Sequence, residues 1–416
     1  MLAWTARNGL PFEFRVPANY DPERGANLVV VLHGNGLDQR WTFWNHPTDE
    51  FRVNDIVVSP DGTTASSATG ASEFLDGSSD LTRMKELLEE LKSHWKVRQT
   101  FLYGHSQGSF FVFHYAGHHP NTIDGVVGHA SGMWAASPLS KAGHELAIGI
   151  MHGTDDHIPY SQAWYTRKAY REAKYPLVHL RTLFDWPHRP NWVQAQQMLA
   201  WCEGVTSTDS ERVLQALITL SDPRAAMGLD PAALYAVAAR LAKMEGASQA
   251  AQRRAAKGLS ALEALSAQLF SSIERGLAGR KGPSVAEDEW LGIAIRVVEE
   301  WEGTPMLDSF LAGKGRKLVE VRKLADTTLS EYYRTVERDP AEAIEAGVRL
   351  LEDGWVSDRC LEISSALETL LAKSRELKLP KKLLDRASSA RSAYAKGREK
   401  GFAAYTRALA KLELGR

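Results

Sequence analysis

"TFLYGHSQGSFFVFHYAGHHP", residues Thr100 to Pro120, sets Ser106 between Gly104 and Gly108, with apolar runs on both sides. The pentapeptide Gly-x-Ser-x-Gly says little in a chain with 32 glycines, so its surroundings must supply the meaning. Phe101, Leu102 and Tyr103 have the character of a buried strand end, and Ser109 to Tyr115 carry apolar residues at helical spacing. The turn between them falls on Ser106. A serine presented on so sharp a turn sits in a strained backbone conformation, and only the smallest residues at 104 and 108 let strand and helix approach closely enough.

Outward from this point the first half alternates. Strand candidates are "FEFRV" near Phe12, "NLVVVLHG" from Asn27, "DIVVSPDG" from Asp55, "IDGVVGHAS" from Ile123, "ELAIGIMHG" from Glu145 and "LVHLRTLFD" from Leu177. Several are continuously apolar, as strands buried on both faces are. Helical stretches intervene, such as "SDLTRMKELLEELKSHW" from Ser79, with Asp80 as the expected cap and Leu81, Met84, Leu88 and Leu91 on one face. This alternation predicts an α/β fold with a mostly parallel sheet flanked by helices. Ligands then bind at the carboxyl ends of the strands, where His33, Gly34, Ser106, Asp156 and His188 fall.

The matching pieces, in order, are "VVVLHGNG", "IVVSPDG", "YGHSQGSF", "MHGTDDHIPY" and "WPHRPNW". Together they resemble the α/β-hydrolase superfamily of serine esterases, within it the branch of polyhydroxybutyrate depolymerases and feruloyl esterases. The resemblance implies a carboxylic ester hydrolase working through an acyl-enzyme, with Ser106 as nucleophile, His188 as base and Asp156 as the acid that orients it. It also implies an oxyanion hole from the backbone N–H groups of Asn35 and Gln107. The acid stays open between two residues: the spacing from Gly153 selects Asp156, whereas counting back from Pro159 selects Asp155. A peptidase or amidase of the same fold, or a binding scaffold on a hydrolase fold, is the competing expectation.

Only fourteen residues, Gly132 to Glu145, separate the "VVGHAS" strand from "LAIGIMHG", too few for a large helical cap, so an open cleft is expected. Trp41 and Trp44, with Phe43, and Trp134 are candidates for an aromatic wall along it. Residues Thr63 to Ser79 read as a long flexible loop near the same rim. His105 adjoins Ser106, yet neighbouring side chains on such a turn point apart. His114, His118 and His119 belong to the following helix, and His129, His152 and His157 are second choices as base.

All thirteen histidines lie between His33 and His188, and nine of twelve tryptophans precede Cys202. Beyond that, Ala, Leu, Glu, Lys and Arg dominate in helical patterns, and the boundary is expected within Cys202 to Glu211. The expected domains are a catalytic one over residues 1–204 and an all-helical accessory one over 205–416. "DPAALYAVAARLAKM" from Asp230 and "DPAEAIEAGVRLLEDG" from Asp339 each open with an Asp cap and a proline in the first turn. Ile344, Val348 and Leu351 form the apolar stripe of the latter, and Gly354 its expected terminator. Breaks are expected near Gly279 to Pro283 and Gly303 to Pro305. No clear repeat period emerges.

A net charge of -1 carries no nucleic-acid signature, and no apolar run reaches the length of a membrane span. Cys202 and Cys360, far apart, suggest neither a disulfide framework nor a metal cluster, and no metal or organic cofactor is expected. The last 44 residues carry thirteen basic and four acidic side chains. That suits a solvated helix face, with a protein or anionic-surface partner as the alternative. The expected substrate is a small-molecule or polymeric ester. The first residues show no export signal, giving a cytoplasmic expectation for the chain as it stands and an extracellular or periplasmic one if a leader precedes it.

Overall fold

A computed structural model describes residues 2–44, 51–65, 72–75, 77–222, 229–279, 289–353, 359–373, 377 and 379–410. The chain divides into two compact units, one of residues 1–220 with 243–248, the other of residues 221–242 with 249–416.

The first unit is built on an eight-stranded sheet. Its strands are β1 (Leu2–Thr5), β2 (Pro11–Arg15), β3 (Ala26–Leu32), β4 (Ile56–Pro60), β7 (Val97–His105), β8 (Gly125–His129), β9 (Ala147–Gly153) and β10 (Val178–Leu183). In space they run β1-β2-β4-β3-β7-β8-β9-β10, with β4 through β10 parallel and β2 alone running antiparallel to both its neighbours, β1 and β4. A mostly parallel sheet requires helical crossovers, and the apolar runs show where both faces are covered. On β3, Leu28, Val30 and Leu32 join the core beneath helices α2 (Ser78–His94), α3 (Gln107–His118) and α4 (Ser161–Glu172), while Val29 and Val31, equally buried, point the other way. That second face is covered by α5 (Trp192–Thr206), whose Met198 leaves no room for a side chain at Gly149 of β9.

β1 was not foreseen from the sequence; all four of its residues are exposed, so no buried alternation marks it. Two further departures occur near Thr63 to Ser79. The expected flexible loop begins and ends in a paired ribbon, β5 (Thr64–Ala65) against β6 (Ser72–Glu73), while residues 66–71 and 76 lie outside the described residues. Asp80, expected as the cap of α2, is not one: Gly77 precedes the helix without a side-chain cap. Asp80 is buried, accepting from Thr64 Oγ1 at 2.6 Å and from the Leu75 N–H at 2.9 Å, so it ties the ribbon to the helix. The expected helix face of Leu81, Met84, Leu88 and Leu91 is buried.

Residue 204 lies inside α5, and α6 (Ser210–Leu220) continues in the first unit, burying Val213, Ala216, Leu217 and Leu220 and packing on α5. The second unit is helical: α7 (Pro231–Lys243), α8 (Gln249–Gly279), α9 (Glu289–Glu300), α10 (Pro305–Ala312), α11 (Arg316–Thr335), α12 (Pro340–Asp353), α13 (Arg359–Ala372) and α14 (Lys381–Ala410). Asp230 caps α7 through the Ala233 N–H at 3.0 Å and Asp339 caps α12 through the Glu342 N–H at 3.0 Å. Ile344, Val348 and Leu351 are fully buried. Helices α9 and α14 pack closely, a Cβ on Gly292 falling 2.5 Å from the Arg398 carbonyl oxygen, with Trp301 donating to Tyr405 Oη at 2.9 Å. Gly354, residues 280–283 and 411–416 lie outside the described residues. Cys202 and Cys360 are both buried and not disulfide-bonded. Among the described residues no helix is long and apolar enough to cross a membrane.

Candidate active site

Strand β7 ends at His105, α3 begins at Gln107, and Ser106 alone makes the turn, at φ 54° and ψ -117°. A non-glycine residue there is strained, and its surroundings must hold it. They do so by close approach. A Cβ on Gly104 would stand 2.1 Å from the Gly108 carbonyl oxygen, and one on Gly108 would stand 2.6 Å from the carbonyl oxygen of His33. Ser106 is further pinned by its N–H donating to the His129 carbonyl at 2.9 Å and by Ser131 Oγ donating to its own carbonyl at 3.0 Å.

The loop after β10 brings His188 over the turn. Its Nε2 lies 3.0 Å from Ser106 Oγ, and its Nδ1 lies 2.8 and 2.9 Å from the two carboxylate oxygens of Asp156, in the loop after β9. The Asp156 side chain is wholly enclosed and also accepts from the Ile158 N–H at 2.8 Å; the His188 side chain is 19 % exposed. Of the two acids left open by the sequence, Asp156 meets the imidazole, while Asp155 is exposed and near Thr154. A buried carboxylate on Nδ1 fixes the tautomer with its proton there, leaving the Nε2 lone pair to accept from Ser106.

Other histidines surround this chain without joining it. His105 is buried, its ring 5.1 Å from that of His188 and 5.5 Å from that of Trp41, with no hydrogen-bond partner for either nitrogen among the described residues. Burial first, then the nearby His188, pushes its pKa down to about 3, so it stays neutral beside the His188 ring. Burial likewise lowers His129 and His152. His114 is buried against Trp134 and Ser137, and His157 stands in solvent beside His188.

A cleft of about 420 Å³ opens over Ser106, lined by Asn35, Leu75, Ser106, Gln107, Phe110 and Trp134. Asn35 and Gln107, whose backbone N–H groups are the expected oxyanion donors, both line it. Gly34 abuts the serine, a Cβ there falling 3.1 Å from Ser106 Cβ. The Gln107 side chain accepts from the Phe74 N–H at 3.2 Å, which fixes the segment carrying Leu75 at the cleft edge. Phe110, which the sequence did not single out, stacks flat on Trp134. Its place in the first turn of α3, one helical turn past Ser106, was the available signal. Trp41, expected in the aromatic wall, instead is 7 % exposed and packs on His105 and Trp192, because the short helix α1 (Trp41–Trp44) turns that face inward. Phe43 is buried too, and the Trp44 side chain lies outside the described residues. A larger hollow of about 570 Å³ lies at the amino ends of the strands, lined by Asp21, Arg24, Arg98, Asp209 and Arg212 among others, remote from Ser106.

Residues 27–158 match the model of the alpha/beta hydrolase fold family. No curated protein matches the sequence. Among solved structures, a thermostable esterase is 17 % identical at a TM-score of 0.39, over 48 % of this chain and 61 % of its own, so this chain spans less than two thirds of it. A Bacillus cereus carboxylesterase is 17 % identical at 0.39, over 48 % of this chain and 96 % of that one. The feruloyl esterase module from Clostridium thermocellum is 14 % identical at 0.36, over 47 % and 84 %. The first unit has the α/β-hydrolase fold.

Proposed function

We propose that this protein is a serine hydrolase that cleaves carboxylic esters through an acyl-enzyme. The observation that carries the reading is the unbroken hydrogen-bonded chain from Ser106 Oγ through His188 to the enclosed Asp156, mounted on a strained turn at the floor of an open cleft. Ser106 Oγ attacks the acyl carbonyl as His188 Nε2 takes its proton. The imidazolium so formed is stabilised by Asp156, an attraction strengthened by exclusion of water from the carboxylate. The carbonyl oxygen, now negative, is received by the N–H groups of Asn35 and Gln107. His188 returns the proton to the leaving alcohol, and water then repeats the sequence to release the acid. No step calls on a metal or organic cofactor.

Two features favour esters of accessible acids. The 17 residues between β8 and β9, 130–146, build no helical cap, and the aromatic pair Phe110 and Trp134 offers a flat apolar wall beside the nucleophile. The deciding experiment combines p-nitrophenyl esters from acetate to palmitate, methyl ferulate, a hydroxybutyrate oligomer and aminoacyl anilides with an organophosphonate label. Ester turnover with label on Ser106 is expected, and Ser106→Ala should lose both, turnover falling by about 10⁶. Cleavage of anilides alone points to a peptidase or amidase, label on another serine removes Ser106 as the nucleophile, and no turnover or label leaves a binding scaffold.

A further inference from the structure

The imidazole of His188 has a neighbour that the proposed reaction does not use. His157 follows Asp156 directly, its side chain 73 % exposed, its ring centroid 4.2 Å from that of His188 and its Nδ1 3.7 Å from Asp156 Oδ1. Asp156, His157 and His188 thereby bring one carboxylate oxygen and two imidazole nitrogens within 4.8 Å of one another. Ligands held at about 2.1 Å around a tetrahedral zinc ion stand roughly 3.4 Å apart. Two of the three separations, 2.8 Å from His188 Nδ1 to Asp156 Oδ1 and 3.7 Å from that oxygen to His157 Nδ1, bracket that value, and the third lies within 4.8 Å.

We propose that Asp156, His157 and His188 bind a divalent transition-metal ion, with Zn²⁺ the best match, and that its binding switches the hydrolase off. Two imidazoles and one carboxylate suit zinc, whereas magnesium and calcium take oxygen ligands almost exclusively. The exposed His157 side chain gives the ion its way in. The inhibitory half of the proposal rests on reading Ser106 and His188 as nucleophile and base; the binding half does not.

The mechanism is a change of tautomer. At rest, the His188 proton is on Nδ1 and the Nε2 lone pair accepts from Ser106. A zinc ion on Nδ1 occupies the lone pair there, so the proton resides on Nε2. No proton is gained or lost by the ring; one has moved. An Nε2 that already carries hydrogen cannot take the Ser106 proton, and Asp156, now a ligand, no longer orients the ring for attack. The defect is the one that a carboxylate-to-amide change inflicts on such a chain.

The test uses the full chain. Zn²⁺ is titrated calorimetrically into the wild type and into Ser106→Ala, and p-nitrophenyl acetate turnover is followed against free Zn²⁺, with Mg²⁺ as control. One ion should bind both proteins with a Kd of about 1 to 100 µM. Turnover should fall at least about tenfold over that range, recover with EDTA and ignore Mg²⁺. In His157→Gln, referred to its own metal-free rate, half-inhibition should need at least about tenfold more Zn²⁺. A wild type that binds no Zn²⁺ below about 1 mM, or a His157→Gln protein inhibited at the wild-type concentration, overturns the proposal. If the full chain cleaves no ester, the hydrolase reading fails by itself, and calorimetry on Ser106→Ala with and without His157→Gln still decides the metal site.

Discussion

The rings of Phe110 and Trp134 lie parallel, 5.7 Å between centroids and 8° between planes, and together form one side of the cleft over Ser106. Phe110 comes from the helix that begins beside Ser106, Trp134 from the loop after β8. A flat pair of this kind recognises a planar or extended apolar group without enclosing it. Phe110→Ala and Trp134→Ala should each raise KM for butyrate or aryl esters about threefold to tenfold, while acetate changes little. Parallel KM and kcat measurements across chain length check this; equal effects on acetate would mean that the pair shapes the turn and not the wall.

A second expectation separates the adjacent acids. Asp156→Asn should cost on the order of 10⁴ in turnover, because an amide donating to Nδ1 selects the wrong imidazole tautomer. Asp155→Asn should cost less than about threefold, its side chain being exposed while Asp156 holds the imidazole. Reversed losses would assign the orienting role to Asp155.

The turn should tolerate no added methyl group. Gly104→Ala places carbon 2.1 Å from a carbonyl oxygen that belongs to the helix itself, so neither side can yield without separating β7 from α3. A loss above about 4 kcal/mol, or failure to accumulate folded protein, is expected. Gly36→Ala offers the contrast: nothing lies within 4 Å of a Cβ there, and only its φ of +75° opposes it, for about 1 kcal/mol. Thermal unfolding of the two variants measures the difference.

Acid should destabilise the protein through its buried histidines. His105, His129 and His152 are all held below their usual pKa, primarily by burial, and remain neutral while folded. Below the unfolded value near 6.5 the unfolded chain binds more protons, so this stability is present above about pH 6.5 and is lost progressively as pH falls below it. Asp55 works in the opposite sense. Buried beside Glu203, with Arg52 offsetting only part of the cost, its pKa is pushed up to about 6, so its contribution favours the folded state at low pH and fades as pH rises through 6. Three histidines against one carboxyl leave a stability that falls as pH drops from about 6.5 to 4.5. Denaturant titrations across that interval check it; a flat or inverted profile would show that these histidines charge within the folded protein. Asp55→Asn should steepen the slope.

Much of the first unit was legible because its strands must be apolar on both faces: "NLVVVL" admits few other readings. Ser106, Asp156 and His188 could be nominated since each follows a recognisable strand. What was not legible depends on partners distant in sequence. Asp80 has the local signature of a cap, and only the ribbon at Thr64 and Leu75 shows why it is buried within the first turn instead. Trp41 is aromatic in any environment; whether it faces the cleft depends on the orientation of a four-residue helix, which no periodicity encodes. Composition likewise groups α6 with the later helices, although its apolar face packs on α5.

We also expect the two units to be separable in activity. A protein of residues 1–220 retains Ser106, Asp156, His188 and every lining residue of the cleft. It should turn over p-nitrophenyl acetate within about threefold of the full chain. A fragment folded by circular dichroism yet inert toward esters the full chain cleaves would assign the helical unit a part in the reaction.

The close contact at Gly104 and Gly108 also determines where this protein can change. Those two positions are closed to variation by carbonyl oxygens that have nowhere to go, while Leu75, Phe110 and Trp134 line the open cleft. A library randomised at these three positions alters what enters the cleft without disturbing what happens there, so new substrate preferences can be selected without first repairing the scaffold.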